Sequence, residues 1–177
     1  MIISVKKAKA LIGDFNGWTD EKIEMKLKAI EQTIRAYTNN RFQDRGYRGT
    51  ADIRDGVIIS DFPVPFSVGD TIQISESQLN NNKLYTILAV TDGQAFTVGE
   101  DIKNEDSVLV TKIVYPADVI DCCVDLLEWE KKFGGKIGVK SETLSRHSVT
   151  YEDSAGLFRG YPKGILNAVY HYRKARC

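Results

Sequence analysis

Residues that could act as a nucleophile or bind phosphate occur in two stretches of the second half of the chain. Gly134-Gly135-Lys136-Ile137 has the glycines and the lysine of a phosphate-binding loop, but the earlier glycine of that motif is absent and Ile137 replaces the hydroxyl residue that would hold magnesium. Ser145 precedes Arg146 and His147, yet no small-residue elbow surrounds the serine and no orienting carboxylate can be assigned. We interpret the first stretch as a helix end, and the sequence predicts no hydrolase.

The cysteines and histidines lack the spacing of a metal or redox site. Cys122 and Cys123 are neighbours in a helical pattern, so their side chains diverge by about 100° and cannot form an unstrained disulfide or hold one metal together. Cys177 is remote in sequence, and His147 and His171 belong to different predicted elements. We therefore expect a protein that is not an enzyme and that needs neither a cofactor nor a metal.

Charge is balanced over the whole chain. Its 177 residues include 24 Lys and Arg against 24 Asp and Glu, so no bulk field favours nucleic acid, membrane or acidic substrates. The first seven residues lack the basic-then-apolar order of a signal peptide, and no apolar run is long enough to span a membrane. The expectation is a cytoplasmic protein whose charge effects are local.

Helical patterns flank the middle of the chain. Over Asp20–Thr38 apolar residues recur every three or four positions, and Thr19 provides an N-cap. Residues 4–12 fit a short N-terminal helix. A second long helix begins at Pro116 and ends at Gly134-Gly135, and its wide apolar band predicts the central helix of the core.

Acidic residues share the other side of this second long helix. Spacings of 3, 4 and 3 residues place them on one face: Asp118, Asp121, Asp125 and Glu128. Two interpretations remain open, namely a solvated face or a subunit contact that meets a basic strip on a neighbouring copy.

The segment between the helices, from about Ala51 to Tyr115, has the alternation of short β-strands. Turn signals separate its β-rich runs, which are residues 57–59, 71–75, 84–90, 95–98 and 107–114. Closure into a small SH3-like barrel removes the exposed edges of such strands. Because connections longer than about 15 residues are uncommon within a domain, we interpret residues 51–115 as a module inserted into a host formed by residues 1–50 and 116–177.

The remaining elements complete an α+β fold. Residues 139–144 and 147–152 have the pattern of a β-hairpin around Ser145-Arg146, and Gly160-Tyr161-Pro162 opens a last helix. The predicted architecture is a small helical bundle of three main helices plus the short N-terminal helix. It carries the inserted β-barrel-like module and a hairpin between its last two helices.

The helical host resembles the head-tail connector proteins of tailed bacteriophages, also called head-completion or adaptor proteins. The motifs that carry the resemblance are Tyr37-Thr38-Asn39-Asn40-Arg41-Phe42, Pro116-Ala117-Asp118, Lys140-Ser141-Glu142-Thr143-Leu144, Ser148-Val149-Thr150-Tyr151 and Gly160-Tyr161-Pro162-Lys163. The insert, with Val68-Gly69-Asp70-Thr71-Ile72 and Tyr85-Thr86-Ile87, is similar to a β module of some phage structural proteins. It departs from the smallest family members, which are helical only.

The resemblance implies a non-enzymatic virion protein at the head-tail interface, assembled in the cytoplasm of the bacterial host. Copies form a ring that is dodecameric on the portal protein, whereas the isolated protein is a monomer. The ring extends the DNA channel and is the docking platform for stopper or tail-completion proteins. DNA passes without sequence-specific binding, which suits a near-neutral chain because a dense basic lumen would retain phosphates.

A ring needs a heterologous contact, in which one face of each copy complements the opposite face of the next. The candidate surfaces are the acidic face of the second long helix and, on the first, Lys22, Lys26 and Lys28. By resemblance to the family, the end of the last helix is the arm that docks on the portal, with Tyr172, Arg173, Lys174 and Arg176.

The alternative is a nucleic-acid-binding regulator or DNA-packaging accessory protein. Basic and aromatic residues interleave near the end of the first long helix and could contact phosphates and stack on bases: Arg35, Arg41, Phe42, Arg45, Tyr47 and Arg48. DNA binding that weakens steeply with salt would indicate this class, and its absence at moderate salt would favour the connector.

Overall fold

The computed structural model describes residues 1–15, 17–63, 65–80, 83–91, 93–134, 141–144, 147–150 and 156–175, with 141–144 and 147–150 described by their backbone only. Within these ranges the chain is a mixed α+β protein with four α-helices and a closed six-stranded antiparallel barrel, which confirms the predicted class. Two compact units are present. The helical unit comprises residues 2–40 and 115–177, and the barrel unit comprises Met1 and residues 41–114.

The first helices of the helical unit lie where the sequence predicts them. They are α1 (Val5–Ile12), α2 (Asp20–Thr38) and α3 (Ala117–Phe133). The Thr19 side chain accepts a hydrogen bond from the Lys22 amide, which satisfies one of the free donors at the start of α2. Asn39 ends this helix in the left-handed conformation, at φ 48°.

Buried stripes join α2 and α3. Ile23, Ile30 and Ile34 of α2 are completely buried, as are Leu126 and Leu127 of α3, and the two helices are in contact. Burying a side chain of this size contributes about 1.5–3 kcal/mol relative to leaving it exposed. This seam therefore holds α3 in a fixed orientation, with its acidic side turned away from the core.

The rest of the helical unit is built from short elements. Strands β7 (Ser141–Leu144) and β8 (His147–Thr150) pair antiparallel, so the predicted hairpin is confirmed there, while its turn at Ser145-Arg146 lies outside the described residues. Two short strands then pair antiparallel, namely β9 (Leu157–Phe158) and β10 (Tyr161–Pro162).

The predicted last helix is only partly α-helical. It consists of α4 (Lys163–Leu166) followed by a 3₁₀ helix over Asn167–Tyr172. Glycine at position 164 and a β-branched and aromatic run after residue 168 have low helix propensity, and short 3₁₀ segments are common at such chain ends. Leu166 and Val169 still point into the core, as the apolar stripe predicts.

The barrel consists of six strands in the order β1-β2-β5-β4-β3-β6. Their bounds are β1 (Gln43–Arg54), β2 (Val57–Ser60), β3 (Thr71–Ser75), β4 (Leu84–Val90), β5 (Ala95–Val98) and β6 (Glu105–Ile113). Pairing of β1 with β6 closes the sheet, so no strand is left with an unpaired edge. The five predicted strand positions are confirmed.

The first strand was not among the predicted runs, and it begins at Gln43, before the predicted start of the β segment near Ala51. Its register against β6 shifts between Asp44 and Arg48, so residues 45–47 form a bulge. Two glycines and several charged residues interrupt the apolar alternation there, and only pairing with β6 makes this segment a strand.

Aromatic packing fills the barrel. Phe66 and Phe96 are both buried and meet edge to face at 5.3 Å between ring centroids. Phe62 packs against the same core and covers Gly49, where an added Cβ would lie only 1.6 Å from the Phe62 ring. The two ends of the barrel segment lie side by side, since the Val114 amide donates to the Phe42 carbonyl oxygen at 3.0 Å.

Candidate interaction surfaces

The acidic face of α3 lies opposite the buried stripe of that helix. Asp121 and Asp125 are exposed, and Asp118 and Glu128 are partly exposed. Desolvation, Asp121 and Glu128 together raise the pKa of Asp125, although Lys132 acts in the other direction. Asp121 and Glu128 lie one helical turn before and after Asp125, as expected for residues on one face of a helix.

Two of these four carboxylates are engaged within the helical unit. Asp118 accepts a hydrogen bond from the Tyr172 hydroxyl at 2.9 Å, and its second oxygen lies 3.1 Å from His171 Nε2. Glu128 pairs with Lys132 one helical turn later, at 3.0 Å. Asp121 and Asp125 form no hydrogen bond or ion pair with any described residue. These two carboxylates could therefore contact another molecule without breaking such a bond.

The predicted basic strip on α2 does not exist as one surface. Lys26 forms an ion pair with Glu130, whose carboxylate is almost fully buried on α3. Lys28 pairs with Glu24 at 2.7 Å, and the Lys22 ammonium lies 4.4 Å from the centre of the Trp18 ring. At 100° per residue, Lys28 also lies far around the helix from the other two lysines. Each of the three therefore already has a local role.

Glu130, the buried partner of Lys26, contributes to the packing of the helical unit. Glu130 also accepts a hydrogen bond from Tyr161, and burial together with this carboxylate raises the pKa of the tyrosine. An open pocket of about 310 Å³ adjoins these groups. Removing Lys26 would leave the Glu130 charge buried without a cationic partner, which is strongly destabilising.

The expected portal-docking residues form a fixed segment rather than a free arm. The Lys174 amide donates to the Thr38 carbonyl at 2.8 Å, and the Asn40 side-chain amide donates to the Tyr172 carbonyl at 3.1 Å. Asn39 donates through its side chain to the backbone at Lys174 and Ala175. These bonds hold the backbone of residues 172–175 against the end of α2. The fourth expected docking residue, Arg176, lies outside the described residues.

A groove of about 610 Å³ opens between the end of α2 and this segment. Its wall is aromatic, because Tyr37 packs edge-on against both Tyr170 and Phe158, with ring centroids 6.4 and 5.3 Å apart. The guanidinium of Arg173 lies 5.7 Å from the Tyr170 ring. The lining residues are Ala36, Tyr37, Asn39, Tyr170, His171, Arg173, Lys174 and Ala175, a set with three basic side chains and no carboxylate. The groove could not be found from the sequence, because no local pattern links the end of α2 to residue 170.

The residues expected to bind nucleic acid belong to both units, Arg35 to the helical unit and the others to the barrel unit. Phe42 is buried and cannot stack on a base. Arg35 lies beside Tyr115, whose hydroxyl donates to Glu31 in the helical unit. Arg45, Tyr47 and Arg48 are exposed on the β1 bulge, where Asp44 caps the Gly46 amide and Glu76 lies 3.7 Å from Arg48. The predicted stacking role is therefore wrong for Phe42.

The groups considered for chemistry are buried or undescribed. Burial raises the pKa of the Cys122 thiol to about 12 and also raises that of Cys123, so neither is a nucleophile near neutral pH. Among the described residues no three His, Cys, Asp or Glu side chains are grouped to hold a metal ion. Gly135-Lys136-Ile137, Ser145 and the His147 side chain lie outside the described part.

No helix in the described ranges combines the length and apolarity needed to cross a membrane. Comparison with models of known protein families gives no match, and no curated protein matches the sequence.

Proposed function

We propose that the protein is a non-enzymatic head-tail connector of a tailed bacteriophage, which forms a ring beneath the portal, extends the DNA channel and is the platform for stopper or tail-completion proteins. The observation that supports this proposal best is the acidic face of α3. Asp121 and Asp125 form no hydrogen bond or ion pair with any described residue, yet the helix that presents them is fixed by a fully buried seam. A rigid element with an unsatisfied charged face suits a repeated protein contact.

The proposal includes the finer fold assignments, a small helical bundle and an SH3-like barrel. Short antiparallel strands, closure of β1 on β6 and a compact aromatic core support the barrel assignment. The three helices α1, α2 and α3 contact one another pairwise, which supports the bundle. The virion, and the host cytoplasm during assembly, are the corresponding locations.

Portal decoration tests the proposal. Purified protein is incubated with assembled portal rings from candidate phages, and the mixture is examined by sedimentation and electron microscopy. We expect an additional ring of density on one end of the portal and co-sedimentation at a fixed ratio. A protein that neither sediments with any candidate portal nor adds density would remove the main support for a connector.

The alternative, a nucleic-acid-binding regulator or packaging accessory, receives less support. The exposed basic bulge on β1 is interleaved with Asp44 and Glu76, so its local positive field is weak. A fluorescence-anisotropy titration with duplex and single-stranded DNA separates the classes. For six to ten phosphate contacts, the binding affinity should fall by a factor of about 10³–10⁵ between 50 and 200 mM salt. A fall of this size would favour the alternative.

A further inference from the structure

The connector proposal requires a basic surface that can receive the acidic face of α3. The lysines of α2 cannot supply it without breaking bonds inside the helical unit, because Lys26 neutralises the buried Glu130. A charged contact forms at low cost only when its partners are not already paired. The basic surface therefore has to lie elsewhere.

The groove at the end of α2 has the required properties. Arg173 and Lys174 are exposed and form no ion pair with any described residue, and the described lining to which they belong contains no carboxylate. Their backbone is held by the Thr38 carbonyl and by the side chains of Asn39 and Asn40, so little backbone conformational entropy is lost on binding. The exposed Tyr170 ring adds an apolar contact beside the cations.

The same copy does not satisfy this groove with its own acidic face. Asp118 holds His171 and Tyr172, and the chain then turns so that Lys174 binds the Thr38 carbonyl on α2. Arg173 and Lys174 consequently make no ion pair with Asp121 or Asp125. Within the described part of each copy, Arg173 and Lys174 of the groove and Asp121 and Asp125 of the acidic face thus form no ion pair.

We propose that the groove lined by Tyr170, Arg173 and Lys174 in one copy receives Asp121 and Asp125 on α3 of a second copy. This inference rests on the proposed connector function and names the two faces of its subunit contact. The contact is heterologous, so each copy gives one face and receives another, and the assembly closes into a ring when the rotation permits. Arg173 and Lys174 are thereby assigned to the subunit contact instead of the portal contact.

Charge exchange tests the pairing. The acidic-face reversal is Asp121→Lys with Asp125→Lys, and the groove reversal is Arg173→Glu with Lys174→Glu. Each reversal alone places like charges across every contact, and we expect ring formation on portals to fall at least tenfold. An equimolar mixture of the two variants restores opposite charges at every contact of an alternating ring, as does one chain with all four changes. Both should assemble within a few-fold of the parent.

A matched control uses the lysines that the sequence suggested. Lys22→Glu with Lys28→Glu changes the charge by the same amount on exposed positions of α2, and we expect unchanged assembly. Circular dichroism of every variant checks that the helical unit is folded. If the control fails to assemble while the groove reversal assembles normally, the basic partner is the α2 surface and the inference is wrong.

A second readout does not depend on the portal. Isotopically light and heavy parent copies are mixed at high concentration and low salt, then joined by a zero-length carbodiimide reagent. We expect light-to-heavy crosslinks from Lys174 to Asp121 or Asp125, weakening as salt rises. Absence of such crosslinks both in the free protein and in rings on portals overturns the inference.

The readouts separate the two proposals. Rings that form on portals with either reversal refute the pairing and leave the connector function standing. Parent protein that crosslinks as expected but decorates no portal supports the pairing and counts against the connector function. A third outcome is that the parent binds a duplex DNA probe and the groove-reversal variant does not. In that case the groove binds phosphates and the inference fails.

Discussion

Tyr172 donates a hydrogen bond from its hydroxyl to Asp118 across 2.9 Å, and this bond joins the final 3₁₀ helix to the first turn of α3. Asp118 also accepts from the Val119 amide at 3.0 Å, so one carboxylate stabilises the helix start and retains the C-terminal segment. Because that segment forms one wall of the groove, the groove depends on this bond.

Tyr172→Phe should loosen the C-terminal segment without unfolding the helical unit. Loss of the bond to Asp118 should speed hydrogen exchange of the Lys174 amide, which donates to Thr38. Tyr170→Phe is the matched control, since Tyr170 is 52% exposed. If hydrogen exchange at Lys174 is equal in both variants, the bond between Tyr172 and Asp118 does not hold the C-terminal segment in place.

The same bond should weaken in strong alkali. Desolvation, the hydrogen bond to Asp118 and the negative charge of Asp118 raise the pKa of Tyr172 above its ordinary value of 10.0. Only the neutral phenol can donate, so the bond is fully present below the unfolded-state pKa and is lost as pH rises through the folded pKa. Exchange of the Lys174 amide, corrected for the intrinsic rate, should therefore accelerate above pH 10 in the parent and not in Tyr172→Phe.

Leu126→Ala should cost the helical unit about 2–5 kcal/mol, from lost burial and a residual cavity in the α2–α3 seam. Both tryptophans, Trp18 and Trp129, belong to the helical unit, so their fluorescence in urea reports this unit specifically. Leu11→Ala is the matched control, because Leu11 is 54% exposed and its loss should stay within about 0.5 kcal/mol. Equal effects for the two variants would mean that the wrong face of α3 has been placed inward.

Asp125→Asn should stabilise the helical unit slightly at neutral pH. Like charges at i and i+4 on a helix destabilise it by about 0.2–0.5 kcal/mol, and Asp121 lies in that position relative to Asp125. Since the folded pKa of Asp125 is raised, its ionisation costs stability above that pKa and costs nothing below the unfolded-state value. The gain should thus vanish as pH falls through this range, in urea titrations at several pH values. A variant that is less stable than the parent at pH 7 would show that Asp125 has a favourable partner.

Gly49→Ala should damage the barrel and leave the helical unit intact. A Cβ at this position overlaps the Phe62 ring, and overpacking of this kind costs about 1–3 kcal/mol. Faster hydrogen exchange is expected in peptides from β1 and β6. Gly164→Ala provides the control, since its Cβ would meet no atom within 4 Å. Unchanged exchange in β1 would mean that Phe62 can move aside freely.

Replacing residues 42–114 by a short Gly/Ser linker should leave a cooperatively folded helical unit. The barrel core is drawn from residues of the barrel unit alone, so its removal takes no side chain from the α2–α3 seam. Tryptophan fluorescence and helical circular dichroism should both show a single sharp melting transition. A broad, non-cooperative melt would show that the two units share stability.

Periodic segments were predictable, and long-range partners were not. The stripe of α2 and the turns between barrel strands are local signals, so α2, α3 and most strands were placed correctly. The early start of β1 and the 3₁₀ end depend on pairing partners and packing that local propensity does not encode.

The candidate site was only partly predictable for the same reason. Helical spacing is enough to place Asp121 and Asp125 on one face, but the spacing of Lys26 gives no sign of the buried Glu130 that holds it. The basic groove combines Tyr37 with residues 170–175, which are brought together by tertiary structure alone.

The bond between the Val114 amide and the Phe42 carbonyl has a consequence for the order of folding. The halves of the helical unit are separated along the chain by residues 41–114, and bringing them together across a flexible chain of that length costs about 4 kcal/mol in loop entropy. A barrel that folds first removes most of this cost, because its two ends then lie one hydrogen bond apart. During synthesis the barrel can fold before α3 has been made. The folded barrel then holds the start of α3 close to the end of α2, so the two helices pack with a smaller loss of chain entropy.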